Sequence, residues 1–202
     1  MSNKIRGLLF ACTIIMSCQQ NYTPKPNAYY RIDFPEKEYR MYDSICPFTF
    51  AYPVYGTIAP ELRRIPEPCC FNIVFPRYKG TIYLTYKEID NDFDVFFEDN
   101  WHFLFKIAQR ADAIDEYQID IPETDVYGMI YYLSGNAASQ VQFYVTDSVK
   151  NFLRGSLYFY TSKPNHDSLA PVVSFFRDDI VFMIESLRWK EKEKVKSKKS
   201  WD

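Results

Sequence analysis

Glycine is scarce in this chain, six residues in 202, and histidine is scarcer, with two. So little glycine argues against a low-complexity or disordered composition, and the 17 tyrosines and 17 phenylalanines point to strands packed with rings. The two histidines, His102 and His166, stand far from any cysteines spaced two residues apart, so the sequence offers no zinc-type ligand set. Long apolar runs are also missing. The apolar run at residues 7–16 covers, at about 1.5 Å per residue, only half of a roughly 30 Å hydrocarbon core, which excludes a stable transmembrane helix. No internal repeat is present.

What that short run does have is the anatomy of an export signal. Lys4 and Arg6 stand ahead of it, and small Ser17 separates it from Cys18. Ile15-Met16-Ser17-Cys18 resembles the bacterial lipobox, an aliphatic residue at −3 and a small one at −1, after which the cysteine thiol is diacylated and becomes the first residue. Cys12 is a rival acceptor, but it would leave an apolar core of about five residues, too short for a signal. Residues 1–17 therefore read as a lipoprotein signal peptide and Cys18 as the lipidated residue. Residues 18–27 follow as an extended tether, because Pro24 and Pro26 disfavour helix and no apolar face is present. Acyl chains at ~0.8 kcal/mol per buried CH2 would hold the body at a membrane.

The 185 residues that remain suffice for one domain with a sizeable core, assigned to 28–189, with a charged tail at 190–202. Charge is uneven. Residues 188–199 hold seven basic and two acidic side chains, which leaves the rest of the mature chain near −9. The basic run reads as a solvated, frayed helix end, and the acidic body argues against nucleic acid as a partner. In an oxidising compartment Cys46 and Cys69 are the favoured disulfide pair, closing a loop worth about 3 kcal/mol by loop entropy. Cys70 is then left over as a small buried residue.

The apolar pattern predicts elements in groups. Residues 28–46 read as an irregular strap packed by Tyr30, Ile32 and Phe34, and 48–55 as a first strand whose Pro53 suits an edge. After a proline-rich loop at 56–68, strands 71–75 and 81–86 flank a hairpin turn with Gly80 available for a positive φ. A stripe of Phe93, Phe96, Phe97, Trp101, Leu104, Phe105, Ala108, Ala111 and Ile114 predicts a helix from 93 to about 118. Strands follow at 126–133, 140–146 and 156–160, then a helix over 168–189 capped by Ser168 or Asp167, with Pro171 in its first turn. The fold class is α+β, one domain with an antiparallel sheet covered by two main helices, an order similar to the Mog1/PsbP arrangement by fold analogy.

Catalytic chemistry finds little footing. Ser168 or Ser148, His166 or His102, and Asp147 or Asp167 supply the parts of a triad, yet no Gly-x-Ser-x-Gly elbow places them together. Asp90, Asp92, Asp94, Glu98 and Asp99 cluster where the dipole of the first helix favours negative charge, and the cluster lacks the glycine and terminal glutamate of a calcium loop. No catalytic residue, metal or cofactor is assigned. The segment 146–155 is richer in polar side chains than a plain turn requires. Asp147, Ser148, Asn151 and Arg154, with Asn136 from the neighbouring turn, are the candidate partner-binding residues.

Several stretches then carry a resemblance: Tyr22-Thr-Pro-Lys-Pro26, Arg31-Ile-Asp-Phe-Pro-Glu-Lys37, Gly135-Asn-Ala-Ala-Ser139, Asn151-Phe-Leu-Arg-Gly155 and Ser186-Leu-Arg-Trp189. Together they resemble the GldD family of gliding motility lipoproteins from Bacteroidota, over the span from Cys18 to about Trp189. In that family an aromatic often follows the first cysteine of the 69–70 pair, where this chain has Cys70; the departure makes Cys69 the better disulfide candidate. The resemblance implies an envelope lipoprotein that supports gliding and the linked type IX secretion apparatus together with other gliding and secretion lipoproteins, with no enzymatic activity to carry over. Gln19-Gln20 lacks an early acidic surface-export tag, which implies a periplasm-facing position on the outer membrane. A periplasmic hydrolase or small-ligand-binding lipoprotein is the alternative.

The signal reading predicts that the isolated native protein begins at Cys18 with an acyl mass on it. Cys18→Ser is expected to leave an uncleaved, unacylated precursor, and mass spectrometry of the N-terminus checks both.

Overall fold

The computed structural model describes residues 32–61, 67–160 and 166–190, without the side chains of 166–168. The signal, Cys18, the tether, Tyr30 and the tail beyond Lys190 lie outside the described residues. By contacts the chain divides into Met1–Asp33 and Phe34–Asp202, and every described strand and helix belongs to the second unit.

Rings alternating with smaller side chains dictate the strands. Phe48–Pro53 (β2) is the middle of a small antiparallel sheet, paired with Tyr39–Asp43 (β1) on one side and Arg188–Trp189 (β10) on the other. The larger sheet has seven antiparallel strands. Thr57–Pro60 (β3), Phe71–Phe75 (β4) and Gly80–Glu88 (β5) come first, in that order across the sheet. Next to β5 lies Asn151–Phe159 (β9), then Val141–Thr146 (β8), Val126–Gly135 (β7) and Ala111–Ile121 (β6) at the far edge. Helix Phe93–Ala108 (α1) packs on one face of this sheet, and helix His166–Glu185 (α2), together with the small sheet, on the other.

Successive strand residues point to opposite faces, so β9 serves both cores. Leu153 and Leu157 join Phe143, Val145, Ile82 and Leu84 beneath Phe176 and Ile180 of α2. Phe152 turns the other way, to Leu104 and Ile107 of α1 with Tyr131 and Tyr144. Each such side chain, fully buried, contributes about 1.5–3 kcal/mol. Gly155 stands where the Phe143 ring crosses β9; a Cβ there would collide with the ring.

One charged group lies inside the larger core. Asp179 of α2 is 1% exposed. Its Oδ2 accepts the Tyr55 hydroxyl at 2.5 Å, and its Oδ1 accepts the Tyr39 hydroxyl at 2.8 Å and Lys37 Nζ at 3.1 Å. Burial first, and then the bond to Asp179, push both tyrosine hydroxyls well above their ordinary pKa, so they remain donors. Lys37 also donates to the Phe175 carbonyl at 2.7 Å, and Phe34 stacks on the Phe175 ring at 4.4 Å. Of the strap residues, Phe34 packs in this way, whereas Ile32 is exposed.

Several sequence expectations need correction. The stretch 39–43 is not irregular: it forms β1, and β2 is therefore a central strand whose Pro53 falls at its end, where a missing donor costs nothing in the ladder. Within the proline-rich loop, 57–60 pairs as β3. The β4–β5 hairpin forms, but the left-handed residue is Lys79, φ 51°, and not Gly80. The first helix stops at Ala108 instead of near 118; Ala111 and Ile114 fall on its stripe only because the two periods coincide there, and 111–121 is strand β6. Strand β9 begins at Asn151, earlier than 156, and the last helix ends at Glu185, after which 188–189 pair with β2. That helix already begins at His166, so Asp167 and Ser168 lie inside it and do not cap it, and Pro171 stands within the helix beyond its first turn.

Cys46 and Cys69 are disulfide-bonded, Cα atoms 5.5 Å apart, and Cys70 is a free, buried thiol. Asp179→Ala strips Tyr39 and Tyr55 of their acceptor and Lys37 of one of its partners, and is expected to cost about 3 kcal/mol. Cys46→Ser with Cys69→Ser is expected to cost a similar amount, about 3 kcal/mol, by loop entropy. Urea unfolding midpoints under oxidising conditions check both.

Candidate functional site

The polar segment after β8 is a turn that consumes its own side chains. Asp147 Oδ1 accepts the backbone N–H groups of Val149, Lys150 and Asn151 at 2.8–2.9 Å, and Oδ2 accepts Asn151 Nδ2 at 2.5 Å. Ser148 stands at φ 63°, and its N–H is held by Thr146 Oγ1 at 2.9 Å. Asn151 Oδ1 in turn accepts the buried Tyr86 hydroxyl at 2.8 Å. Burial pushes the Asp147 carboxyl up, but its four hydrogen bonds outweigh burial and hold it below the usual carboxylate range. Burial likewise moves Tyr86 up to about 12, with Glu88 and Asp147 adding to the effect.

These candidates do not form one edge. Asn136 is exposed in the turn at the opposite end of β8, and six strand residues put about 20 Å between the two turns. Asp147 and Asn151 face each other. Arg154 also lies away from the Asp147 turn, on the α1 face of β9 opposite Thr85 and Tyr144.

Arg154 borders a groove. Helix α1 covers Tyr131, Leu133, Tyr144 and Phe152 but stops short of the β5 side of the same face. That uncovered strip is a groove of about 300 Å³ lined by Glu61, Tyr83, Thr85, Phe103, Arg154 and Tyr158 among others. The Arg154 guanidinium lies 4.4 Å over the Phe103 ring. Tyr83 meets Tyr158 edge to face at 5.5 Å, and its hydroxyl pairs with that of Tyr160. Burial raises the Tyr158 hydroxyl pKa, against a lowering by Arg154. Ring edges, faces and hydroxyls beside a guanidinium and the Glu61 carboxylate suit the capture of an aromatic side chain or a small group with polar substituents.

The triad parts are not assembled among the described side chains: His102 is exposed on α1, Ser148 is exposed in its turn, and the side chains of His166, Asp167 and Ser168 are undescribed. Asp92 precedes α1 and its Oδ1 accepts the Asp90 N–H at 2.8 Å, so it organises the loop and gives the helix no side-chain cap. No described group of three or more His, Cys, Asp or Glu is gathered for a metal ion. Sequence reasoning missed Asp179, although its position three residues after Phe176 and four before Met183 puts it on the buried stripe of α2. It missed the groove because Tyr83, Phe103 and Tyr158 come from three separate elements.

A family model described as "Gliding motility lipoprotein GldD" matches residues 19–189. No curated protein matched the sequence. Among solved structures, the solution structure of cyanobacterial PsbP (CyanoP) from Synechocystis sp. PCC 6803 is similar at a TM-score of 0.48 and 13% identity, covering 79% of this chain and 97% of that one.

The turn geometry sets the sign of a pH effect. A carboxyl held below its unfolded value stabilises the fold above that value and loses the contribution as pH falls through the folded one. Asp147→Asn is therefore expected to cost about 2 kcal/mol at neutral pH and progressively less as pH falls below about 4. Urea unfolding at the two pH values checks this.

Proposed function

Because the chain belongs to the gliding motility lipoprotein GldD family, we propose that it is a noncatalytic, lipid-anchored envelope protein that supports gliding and type IX secretion by assembling or stabilising envelope partners. The observation that carries this reading is the family match from residue 19 to 189, which begins one residue after Cys18 and takes in every described strand and helix. The family's shared property therefore belongs to the whole α+β body. Acylation of Cys18 confines that body to a membrane surface, and the absence of an acidic tag after it favours the periplasmic side of the outer membrane.

Confinement raises the local concentration of the domain against other anchored proteins, so a modest protein contact suffices for stable assembly. Among the candidate partner-binding residues, Asn136 and Arg154 stand where they can take that role directly. Asp147, Ser148 and Asn151 act by fixing the turn. The Arg154 groove also fits the rival reading, a small-ligand-binding or hydrolytic lipoprotein, since its volume is at the lower end of about 300–1,000 Å³ for ligand sites.

Replacing Arg154 with Glu separates the two readings. The assembly reading expects lost secretion and lost co-purification of envelope partners at unchanged protein level. Lost secretion with every complex retained would sink it and favour the ligand binder. Fractionation and secreted-protein mass spectrometry provide the measurements.

A further inference from the structure

The far edge of the large sheet is built unlike its other boundaries. Strand β3, at the opposite edge, has four residues and ends in Pro60, which cannot donate to a further ladder. Strand β6 has eleven, pairs with β7 on one side and with no described strand on the other. Eight of those eleven residues are exposed, so nothing described shields the row of outward backbone N–H and C=O groups. An edge of that length is a template for another strand.

Its side chains select what can bind there. Between 111 and 125 lie Asp112, Asp115, Glu116, Asp120, Glu123 and Asp125, with no lysine or arginine among them. Tyr117, 53% exposed, and Ile114, 37% exposed, add apolar surface to the same strand. A second copy of this edge would set carboxylate against carboxylate, which opposes pairing of the chain with itself. The chain's own basic run at 190–199 matches in charge, but Glu191, Glu193 and a single apolar residue, Val195, make it a poor strand.

Resting on the assembly reading above, we propose that β6 is the docking edge for a partner protein, which adds an extended segment alternating basic with β-branched or aromatic residues as an eighth strand. Backbone hydrogen bonds supply the affinity, and the carboxylates supply the choice of partner.

The test uses the full chain and a synthetic peptide of about twelve residues, matched to the length of β6 and alternating Lys with Val or Thr, beside its Glu counterpart. Fluorescence anisotropy is expected to show binding of the Lys peptide only, weakened in high salt, with hydrogen-exchange protection confined to β6. Asp115→Lys with Glu116→Lys and Asp120→Lys is expected to weaken it about tenfold or more, whereas Asp94→Lys with Glu98→Lys and Asp99→Lys on α1 changes it less than about twofold. Should the β6 triple variant fail to fold by circular dichroism, Glu116→Lys alone is expected to weaken binding about threefold. No binding of the Lys peptide, equal loss in both variants, protection away from β6, or a gain of about tenfold on deleting 191–202, which would make the chain's own run the occupant, each overturns the proposal. In cells, secretion retained by the β6 variant but lost on deleting the whole chain discards the edge and keeps the assembly reading. Secretion retained without the chain discards the reading itself.

Discussion

A carboxylate enclosed in a core of rings is costly unless it is paired and hydrogen-bonded, and the start of this domain supplies the partners for one. Asp179 obtains its partners from Lys37, Tyr39 and Tyr55, separated from it by 142, 140 and 124 residues. Three directional bonds to one carboxylate fix helix α2 against the small sheet more uniquely than ring packing alone could. Aromatic cores slide easily among near-equal stackings, and a satisfied polar network picks one of them. The arrangement of α2 over β8 and β9 follows from that choice, and with it the face left for α1.

The opposite face shows what happens where such a device is absent. Helix α1 sits on β7, β8 and β9 through Leu104, Ile107 and a series of rings, and its cover ends at Phe103. The strip beyond it is neither core nor ordinary surface. Arg154 lies over Phe103 there, and Tyr83 and Tyr158 are half-sheltered. An incompletely roofed sheet is a natural place for binding, because the scaffold is already rigid and desolvating the remainder is inexpensive.

How much was legible in the sequence differs by element, for physical reasons. The β4–β5 hairpin was readable because Phe71, Ile73 and Phe75 alternate strictly and face one core. The end of α1 was not, because β6 is an edge strand with most of its residues in water, so no apolar alternation marks it and the helical stripe ran on through Ala111 and Ile114. Strand β9 was clipped at its start for a related reason: Asn151 and Arg154 read as loop residues, although one caps the turn network and the other lies over a ring. The α+β class and the pairing of Cys46 with Cys69 were within reach. The groove and the Asp179 cluster were not, since each is a meeting of residues far apart in the chain.

The small sheet has a mechanical meaning. Its central strand β2 is gripped by β1 and β10, which come from the two ends of the folded body. Force drawn along the chain toward β1 meets the Phe34 ring stacked on Phe175, then the ion pairs of Lys37 to Asp178 and Asp179, then the five register pairs joining β1 to β2. Load is thus absorbed at a dedicated clasp before it reaches the seven-stranded sheet.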